Sequence, residues 1–306
     1  KDKVKMKIFL KVLKGILVGL GSILPGLSGG MIAASFNIYK DLITALNDFT
    51  RKPFKAVISI WEYLIGIAIG IGAGFILIAT ILQKFPIPIT LLFVGLILGG
   101  IPEVYNDVKK ENKKWYHYIV LIFAIVIMIL VLMIVPKEIS SIQGFKLYFV
   151  YIFIGLIMAL SLIVPGLSGT MLLMSLGFYT YMTTEVSEFI KAVLTLDFTT
   201  IKTNIIPVFM MGMGGLIGLI LLARIIQYIL KKHPLSFNMF ILGILLISPV
   251  NIMYTLYLEN NEVFNTISLT TYIVGGILLI LGVISGYALL KLGESKVDSY
   301  EGQETI

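Results

Sequence analysis

The sequence contains no cysteine and only two histidines, His117 and His233, among its 306 residues. Without cysteine there are no disulfides, no thiol chemistry and no thiolate metal site, and two histidines leave little for a histidine-rich metal centre. Charged residues make up only 13% of the chain, whereas a soluble domain carries about 25%. With 58% hydrophobic residues and a mean hydropathy of +0.98, the composition predicts a polytopic membrane protein.

The basic residues give a net charge of +7 and a pI near 9.3, but they lie mostly between apolar segments. That distribution is typical of cytoplasmic loops in membrane proteins, so we expect no nucleic-acid partner. The start of the chain resembles the charged front of a signal peptide. No small-residue cleavage site follows it, and a related segment recurs mid-chain. We therefore predict an amphipathic structural segment with lysines near the lipid headgroups: Lys3, Lys7, Lys11 and Lys14.

The chain repeats itself. A shift of 140 residues aligns "PGLSG" at 25–29 with "PGLSG" at 165–169, and Tyr39 with Tyr179. Further along, a shift of 148 residues aligns Gly66 with Gly214 and Pro86 with Pro234. We therefore divide the chain into two halves of one design, residues 1–138 and 139–306.

Each half begins with a long apolar stretch broken by Pro-Gly and continues with three plainer apolar runs. In the first half these lie at about 8–36, 57–82, 87–101 and 118–135. In the second half they lie at about 147–176, 205–229, 235–258 and 269–290. Most of the plain runs are long enough to span a bilayer at 1.5 Å per residue, and 87–101 is short unless its ends extend.

The distribution of Lys and Arg indicates how the broken stretches lie. If all eight stretches crossed once from an inside N-terminus, 14 basic residues would lie inside and 10 outside. If each Pro-Gly stretch instead dips in and returns to the same side, 19 lie inside and 5 outside. The positive-inside rule favours the re-entrant arrangement, with both termini cytoplasmic.

A re-entrant hairpin plus three spans is an odd number of crossings, so the second half enters the membrane upside down. The predicted fold is therefore an all-α polytopic membrane protein of two inverted-topology repeats, each a re-entrant helical hairpin plus three transmembrane helices. We expect the hairpin tips to meet near the midplane, because irregular backbone at that depth must be buried in protein or line a cavity. Transporters build binding sites in this way.

The tip sequences carry groups that bind anions. Proline ends the descending helix, glycine allows a tight turn, and Ser28 and Ser168 are good N-caps for the returning helices. The amides of Gly29, Gly30 and Met31, and of Gly169, Thr170 and Met171, would then point into a cavity at the positive ends of two helix dipoles. The alternative is that these motifs only shape turns and permit close helix packing.

A hydrolase is a further alternative, because residues 26–30 match the G-x-S-x-G nucleophile string and Gly-x-Ser-Gly also occurs in intramembrane rhomboid proteases. A serine nucleophile needs a base within hydrogen-bond reach. His117 and His233 both fall at the boundaries of apolar runs and not at tip depth. We therefore do not expect an enzyme.

Few charges fall in or near the predicted spans, and an intramembrane charge is a functional candidate. Glu62 and Arg224 are possible charge contacts for the substrate, although Arg224 could equally extend towards lipid headgroups. Glu103 and Asn251, its equivalent in the second half, are possible gating residues or only polar groups at helix ends.

The doubled Pro-Gly-Leu-Ser-Gly, with "FNIYKDLI" at 36–43, "GFYTYM" at 177–182 and "GLILGGIPEVY" at 95–105, resembles the PopT-type polyprenyl-phosphate transporters, formerly domain-of-unknown-function family 368. The resemblance covers nearly the whole chain. It implies a flippase of the bacterial cytoplasmic membrane that returns undecaprenyl phosphate from the outer to the inner leaflet for cell-wall synthesis. It also implies that the tips hold the phosphate headgroup, through Pro25, Gly26, Ser28, Gly29, Gly30, Pro165, Gly166, Ser168, Gly169 and Thr170.

The residues themselves fit such a substrate. An anionic headgroup needs donors inside the membrane, while its apolar tail can stay among the other membrane lipids. No Walker loop is present, so we expect no nucleotide hydrolysis, and we expect no metal and no cofactor. The alternative function is a secondary transporter or channel for a small soluble anion.

Overall fold

The computed structural model describes residues 2–27, 29–36, 38–39, 41–42, 44–45, 52–109, 111–134, 144–163, 168–259 and 268–304. These residues form helices and a few turns, with no strand among them. In the first half the helices are α1 (Asp2–Ile23), α2 (Gly29–Ser35), α3 (Pro53–Ser59), α4 (Trp61–Lys84), α5 (Pro86–Lys109) and α6 (Trp115–Ile134). In the second half they are α7 (Phe145–Ile163), α8 (Gly169–Ser175), α9 (Tyr179–Thr195), α10 (Phe198–Lys232), α11 (Pro234–Glu259) and α12 (Leu269–Glu304).

Within the described part of the chain, six helices are long and apolar enough to cross a membrane: α4, α5, α6, α10, α11 and α12. They coincide with the six plain runs, so that part of the prediction is confirmed. The run at 87–101 is short only in its apolar core. Its helix, α5, begins at Pro86 and continues through Pro102 to Lys109, which gives it 24 residues. The protein is therefore an all-helical, multi-pass membrane protein.

The first helix of each half packs side by side with the first spanning helix of that half. In the first half Gly15 of α1 lies against Gly66 of α4, and Gly19 lies against Gly70. A side chain at Gly15 would overlap the backbone carbonyl of Tyr63, so the two backbones touch. Both contact positions advance by four residues in the same direction, and α1 and α4 therefore run parallel.

The second half repeats this arrangement between α7 and α10. Ile152 lies against Gly214, and Ala159 lies against Gly218. A side chain at Gly155 would overlap the carbonyl of Met211. The contacts again advance together along the two helices, so α7 and α10 also run parallel.

The remaining spanning helices pair across the two halves. Gly95 and Gly99 of α5 lie against Gly282 and Gly286 of α12. In the equivalent pair, Gly243 of α11 lies against Leu121 and Ala124 of α6. Asn251 of α11 then contacts the Met128 carbonyl further along α6. Both pairs are parallel, and each joins one helix from each half, so the two halves form one interlocked body.

Helices α5 and α11, which also contact each other, are the most buried of the spanning helices. The short helix α8 is buried along its whole length beside α11. Tyr179, at the start of α9, is almost fully buried, with its ring edge-on to Phe93 of α5 at a centroid distance of 6.0 Å. The core therefore lies where Gly26 approaches α5 and where α8 approaches α11.

Candidate substrate site at the paired Pro-Gly segments

The first Pro-Gly segment ends α1 and turns against α5. The helix stops at Ile23, two residues before Pro25, as expected because proline disfavours helical backbone in the residue before it. Gly26 has a φ of +85°, a left-handed conformation that favours glycine. A side chain there would also overlap the α5 backbone at Leu96 and Ile97. The predicted tight turn at Gly26 is confirmed, whereas Ser28 lies outside the described residues.

In the second segment Ser168 caps α8. Its backbone is extended, and its Oγ accepts a hydrogen bond from the Met171 amide at 3.4 Å, which confirms the predicted N-cap. The Ser168 and Thr170 hydroxyls are 2.8 Å apart and share a hydrogen bond. The expectation that the Met171 amide points freely into a cavity is wrong, because the serine cap occupies it. Pro165 and Gly166 lie outside the described residues.

Residues that follow the second Pro-Gly touch the end of α1 inside the protein. Thr170 Oγ1 donates to the Leu24 carbonyl at 3.3 Å, and Tyr179 Oη donates to the Ile23 carbonyl at 2.9 Å. These are consecutive carbonyls at the C-terminal end of α1, where a helix leaves its last carbonyls without intrahelical partners. Hydroxyls from the second half therefore satisfy the end of a helix from the first half.

Tyr179 was not among the predicted site residues, although the repeat aligned it with Tyr39. The turn before Tyr179 has the same hydrogen bond as the equivalent turn in the first half. The Ile38 amide donates to the Ala33 carbonyl at 2.9 Å, and the Phe178 amide donates to the Leu173 carbonyl at 2.8 Å. The sequence did carry a signal for Tyr179, because a tyrosine lies ten residues after the end of "PGLSG" in both halves.

The charged candidates lie apart from these contacts. Glu62 pairs with Lys11 of α1 at 3.3 Å, so its charge is balanced within the protein. Arg224 lies on α10, but its side chain is outside the described part of the structure. Glu103 is half-buried on α5. Asn251 is buried and donates to the Met128 carbonyl at 3.3 Å, which joins α11 to α6. Gating by Glu103 and Asn251 stays a prediction.

Both histidines occupy helix ends. His117 Nδ1 accepts a hydrogen bond from the Lys114 amide at 2.9 Å, a capping contact at the start of α6. His233 follows the last residue of α10, and its amide donates to the Ile229 carbonyl. Among the described residues, no group of three or more metal-ligating side chains comes together.

Comparison with known proteins identifies the family of this chain. Residues 18–255 match the family described as undecaprenyl phosphate translocase-like. A polyprenyl-phosphate transporter of Staphylococcus aureus is 28% identical over 287 residues, covering 90% of this chain and 97% of that protein. A polyprenyl-phosphate transporter of Vibrio cholerae is 25% identical over 252 residues, covering 76% and 74%. No solved structure matches the chain significantly. Since the family matches most of its length, this chain belongs to the undecaprenyl phosphate translocase-like family, whose members are named as transporters and not as enzymes.

Proposed function

We propose that this protein is a flippase that carries a polyprenyl phosphate, undecaprenyl phosphate in particular, from the outer to the inner leaflet of the bacterial cytoplasmic membrane for reuse in cell-envelope synthesis. The observation that carries the proposal is the meeting of the two Pro-Gly segments. Thr170 and Tyr179 from the second half hold the end of α1 from the first half. Two half-sites that meet in the interior provide one place for a headgroup between the leaflets.

The parallel packing of α1 and α4 supports a re-entrant first hairpin. If the first apolar stretch crossed the membrane, α4 would be the next crossing and would run antiparallel to it. Instead the two helices run side by side in one direction, and Lys11, midway along α1, meets Glu62 at the start of α4. This packing supports a chain that returns to its starting side before α4 begins.

The same reasoning applies to α7 and α10, which also run parallel. Three single crossings, by α4, α5 and α6, separate the two hairpins, so the second hairpin enters from the opposite face. This inverted arrangement requires α5 to run parallel to α12 and α6 to run parallel to α11. The contacts of both pairs advance in the same direction along the two helices, as this requires. Together with the excess of basic residues on one side, it supports cytoplasmic N- and C-termini.

The tips suit a phosphate because they offer neutral donors within the protein. Ser168 and Thr170 are buried, and no charged side chain occurs in 25–30 or 165–170. In the present arrangement the Thr170 hydroxyl donates to the Leu24 carbonyl. A phosphate oxygen would replace that carbonyl as the acceptor, with the amides of 29–30 and 169–170 as further donors. The prenyl tail would stay in the lipid.

Binding to purified protein tests the proposal. We expect native mass spectrometry to detect retention of undecaprenyl phosphate in preference to undecaprenol, and no displacement by inorganic phosphate. The double variant Ser28→Ala with Ser168→Ala should lose this retention. Ser59→Ala is the matched control, since Ser59 lies on exposed α3 and bonds only to the Ala56 carbonyl among its described contacts. Preference for inorganic phosphate over the lipid would instead indicate a soluble-anion transporter.

The absence of cysteine allows a direct test of topology. Lys84→Cys, at the end of α4, should react with a membrane-impermeant maleimide added outside intact cells. Glu111→Cys, in the turn after α5, should react only after the membrane is opened. The reverse pattern would contradict the proposed orientation.

A further inference from the structure

Each half has a short helix after its Pro-Gly motif, α2 in the first half and α8 in the second, and the two pack differently. Helix α2 packs against α12, where the Ser35 hydroxyl donates to the Leu289 carbonyl at 3.5 Å. Helix α8 instead packs against α11, and Gly177, just after α8, lies against Thr255. By the sequence repeat, α12 is equivalent to α6 and α11 is equivalent to α5. The two short helices therefore pack on helices that are not equivalent.

The contact between α8 and α11 leaves hydroxyls unpaired. Ser175, the last residue of α8, is fully buried, and its hydroxyl has no hydrogen-bond partner in the described part of the chain. The buried Thr255 hydroxyl of α11 is also without a partner there. A buried hydroxyl without a partner is unfavourable, and folded proteins retain few of them. The present position of α8 therefore leaves Ser175 unsatisfied, whereas its equivalent, Ser35, has an acceptor.

The register of the paired helices identifies the acceptor that is equivalent for Ser175. The Leu279 carbonyl of α12 lies against Gly95 of α5, and the Leu121 carbonyl of α6 lies against the equivalent glycine of α11. Leu279 therefore corresponds to Leu121. Ten residues further along each helix, Leu289 corresponds to Val131. Val131 is half-buried on α6, the helix that α8 would contact if it packed as α2 does.

Tyr179 and its equivalent, Tyr39, show the same difference between the halves. Tyr179 is almost fully buried and donates to the Ile23 carbonyl at the end of α1. Tyr39 is only half-buried. Its equivalent acceptor is the carbonyl of Ile163, the last residue of α7. Both halves thus keep a serine and a tyrosine at equivalent positions, although these residues have different environments in the two halves.

We infer that the two halves exchange these arrangements during transport. In the exchanged state α8 packs against α6 and Ser175 donates to the Val131 carbonyl. Helix α2 then packs against α5, and Tyr39 donates to the Ile163 carbonyl. The present bonds of the equivalent serine and tyrosine break. Inverted repeats produce alternating access through such movements of one repeat against the other. The inference rests on the proposed function, to which it adds the conformational change.

The exchange alters the side from which the tips can be reached. In the proposed topology the second hairpin enters from the outer side, and its Tyr179 now holds the end of α1 beside α5, which closes that side. Release of α8 from α11 opens the outer side, and docking of the first hairpin closes the inner side. Thr170 has glycine as its equivalent, Gly30, so no hydroxyl replaces it on the Leu24 carbonyl. The exchange therefore frees the Thr170 hydroxyl to donate to the phosphate.

Crosslinking tests the exchange, since the chain has no cysteine of its own. In proteoliposomes that contain undecaprenyl phosphate, a short bifunctional thiol reagent should join Ser35→Cys to Leu289→Cys in the present state. It should join Ser175→Cys to Val131→Cys only in the exchanged state. Phe123→Cys, about two turns earlier on α6 and exposed, is the matched control for Val131→Cys and should not be joined to Ser175→Cys.

Phenylalanine at either tyrosine should shift the two states in opposite directions. Tyr179→Phe removes a bond of the present state, so it should raise the yield of the Ser175–Val131 crosslink relative to the Ser35–Leu289 crosslink. We expect a change of about two- to tenfold, the range for one ordinary hydrogen bond. Tyr39→Phe removes a bond of the exchanged state and should lower the same ratio by a similar factor. Tyrosines that only stabilise the fold would not change the ratio in opposite directions.

Two results would overturn the exchange. One is absence of the Ser175–Val131 crosslink in every condition while the Ser35–Leu289 crosslink forms. The other is a shift of the crosslink ratio in the same direction by both phenylalanine substitutions. If the wild-type protein still retains undecaprenyl phosphate in either case, the proposed function stands. The expected crosslinks in a protein that does not retain this lipid would support the exchange and refute the proposed substrate.

Discussion

The contact between Tyr179 and the end of α1 gives a prediction whose size follows from the structure. Tyr179→Phe removes only the hydroxyl, because the ring keeps its edge-on contact with Phe93. The lost hydrogen bond, 2.9 Å long and buried, leaves the Ile23 carbonyl without that donor. We expect the free energy of unfolding to fall by about 1–3 kcal/mol.

The measurement is unfolding in mixed micelles by titration with a denaturing detergent, followed by the fluorescence of the two tryptophans, Trp61 and Trp115. Tyr254→Phe is the control. Tyr254 is 49% exposed, and loss of its hydroxyl should change the free energy of unfolding by less than about 0.5 kcal/mol. Equal effects of the two substitutions would refute the assignment of Tyr179 as a contact between the halves.

A double variant sharpens this prediction. Thr170 donates to the next carbonyl, that of Leu24, so Thr170→Val and Tyr179→Phe remove neighbouring donors to one helix end. If both hydroxyls hold the same junction, loss of the first loosens it and the second loss costs less. The double variant should then be less destabilised than the sum of the single variants, by more than about 0.5 kcal/mol. Strict additivity would show that the contacts act independently.

Three further predictions concern other parts of the fold. Gly155→Ala should separate α7 from α10 and destabilise the protein by about 1–3 kcal/mol, whereas Gly212→Ala, which meets open space on the same helix α10, should be neutral or stabilising when both are tested by the same unfolding titration. Glu62→Gln removes the ion-pair partner of Lys11, so a salt dependence of unfolding present in the wild type should diminish. Asp197 caps α10, and hydrogen bonds from the Thr200 hydroxyl and amide hold the pKa of its carboxyl below the ordinary value. The part of its stabilising contribution that depends on ionisation is therefore present above the ordinary aspartate pKa and lost as the pH falls through the lowered pKa, so Asp197→Ala should destabilise more at pH 7 than at a pH below both values.

The spanning helices could be predicted from the sequence because their signal is composition over a long window. All six predicted runs are helices in the structure. The predicted bounds are wrong at some ends, because polar residues continue a helix beyond the apolar run by which hydropathy defines it. Lys109 ends α5 eight residues beyond the predicted limit, and α10 begins at Phe198 instead of 205. The pairing of α5 with α12 and of α6 with α11 could not be read from the same pattern. It depends on glycines that remove side chains at one face, and hydropathy does not record which face that is.

The candidate site was only partly predictable, for a different physical reason. Turns and helix caps depend on a few neighbouring residues, so the Gly26 turn and the Ser168 cap could be predicted from "PGLSG" alone. The contact of Tyr179 with Ile23 joins residues 156 positions apart.

The absence of charged side chains from residues 25–30 and 165–170 suits the movement of an anion through the proposed tip site. A cationic side chain at the tips would hold a phosphate strongly and slow its release, whereas conduction needs sites from which the ligand also leaves. In this protein the Thr170 hydroxyl already has an acceptor, the Leu24 carbonyl. On the proposed function, a phosphate arriving there would exchange one acceptor for another at the Thr170 hydroxyl, while the Leu24 carbonyl would keep its hydrogen bond from the Leu27 amide. The exchange lowers the barrier because neither group would be left without a partner, and it keeps the bound state shallow because little hydrogen bonding is gained.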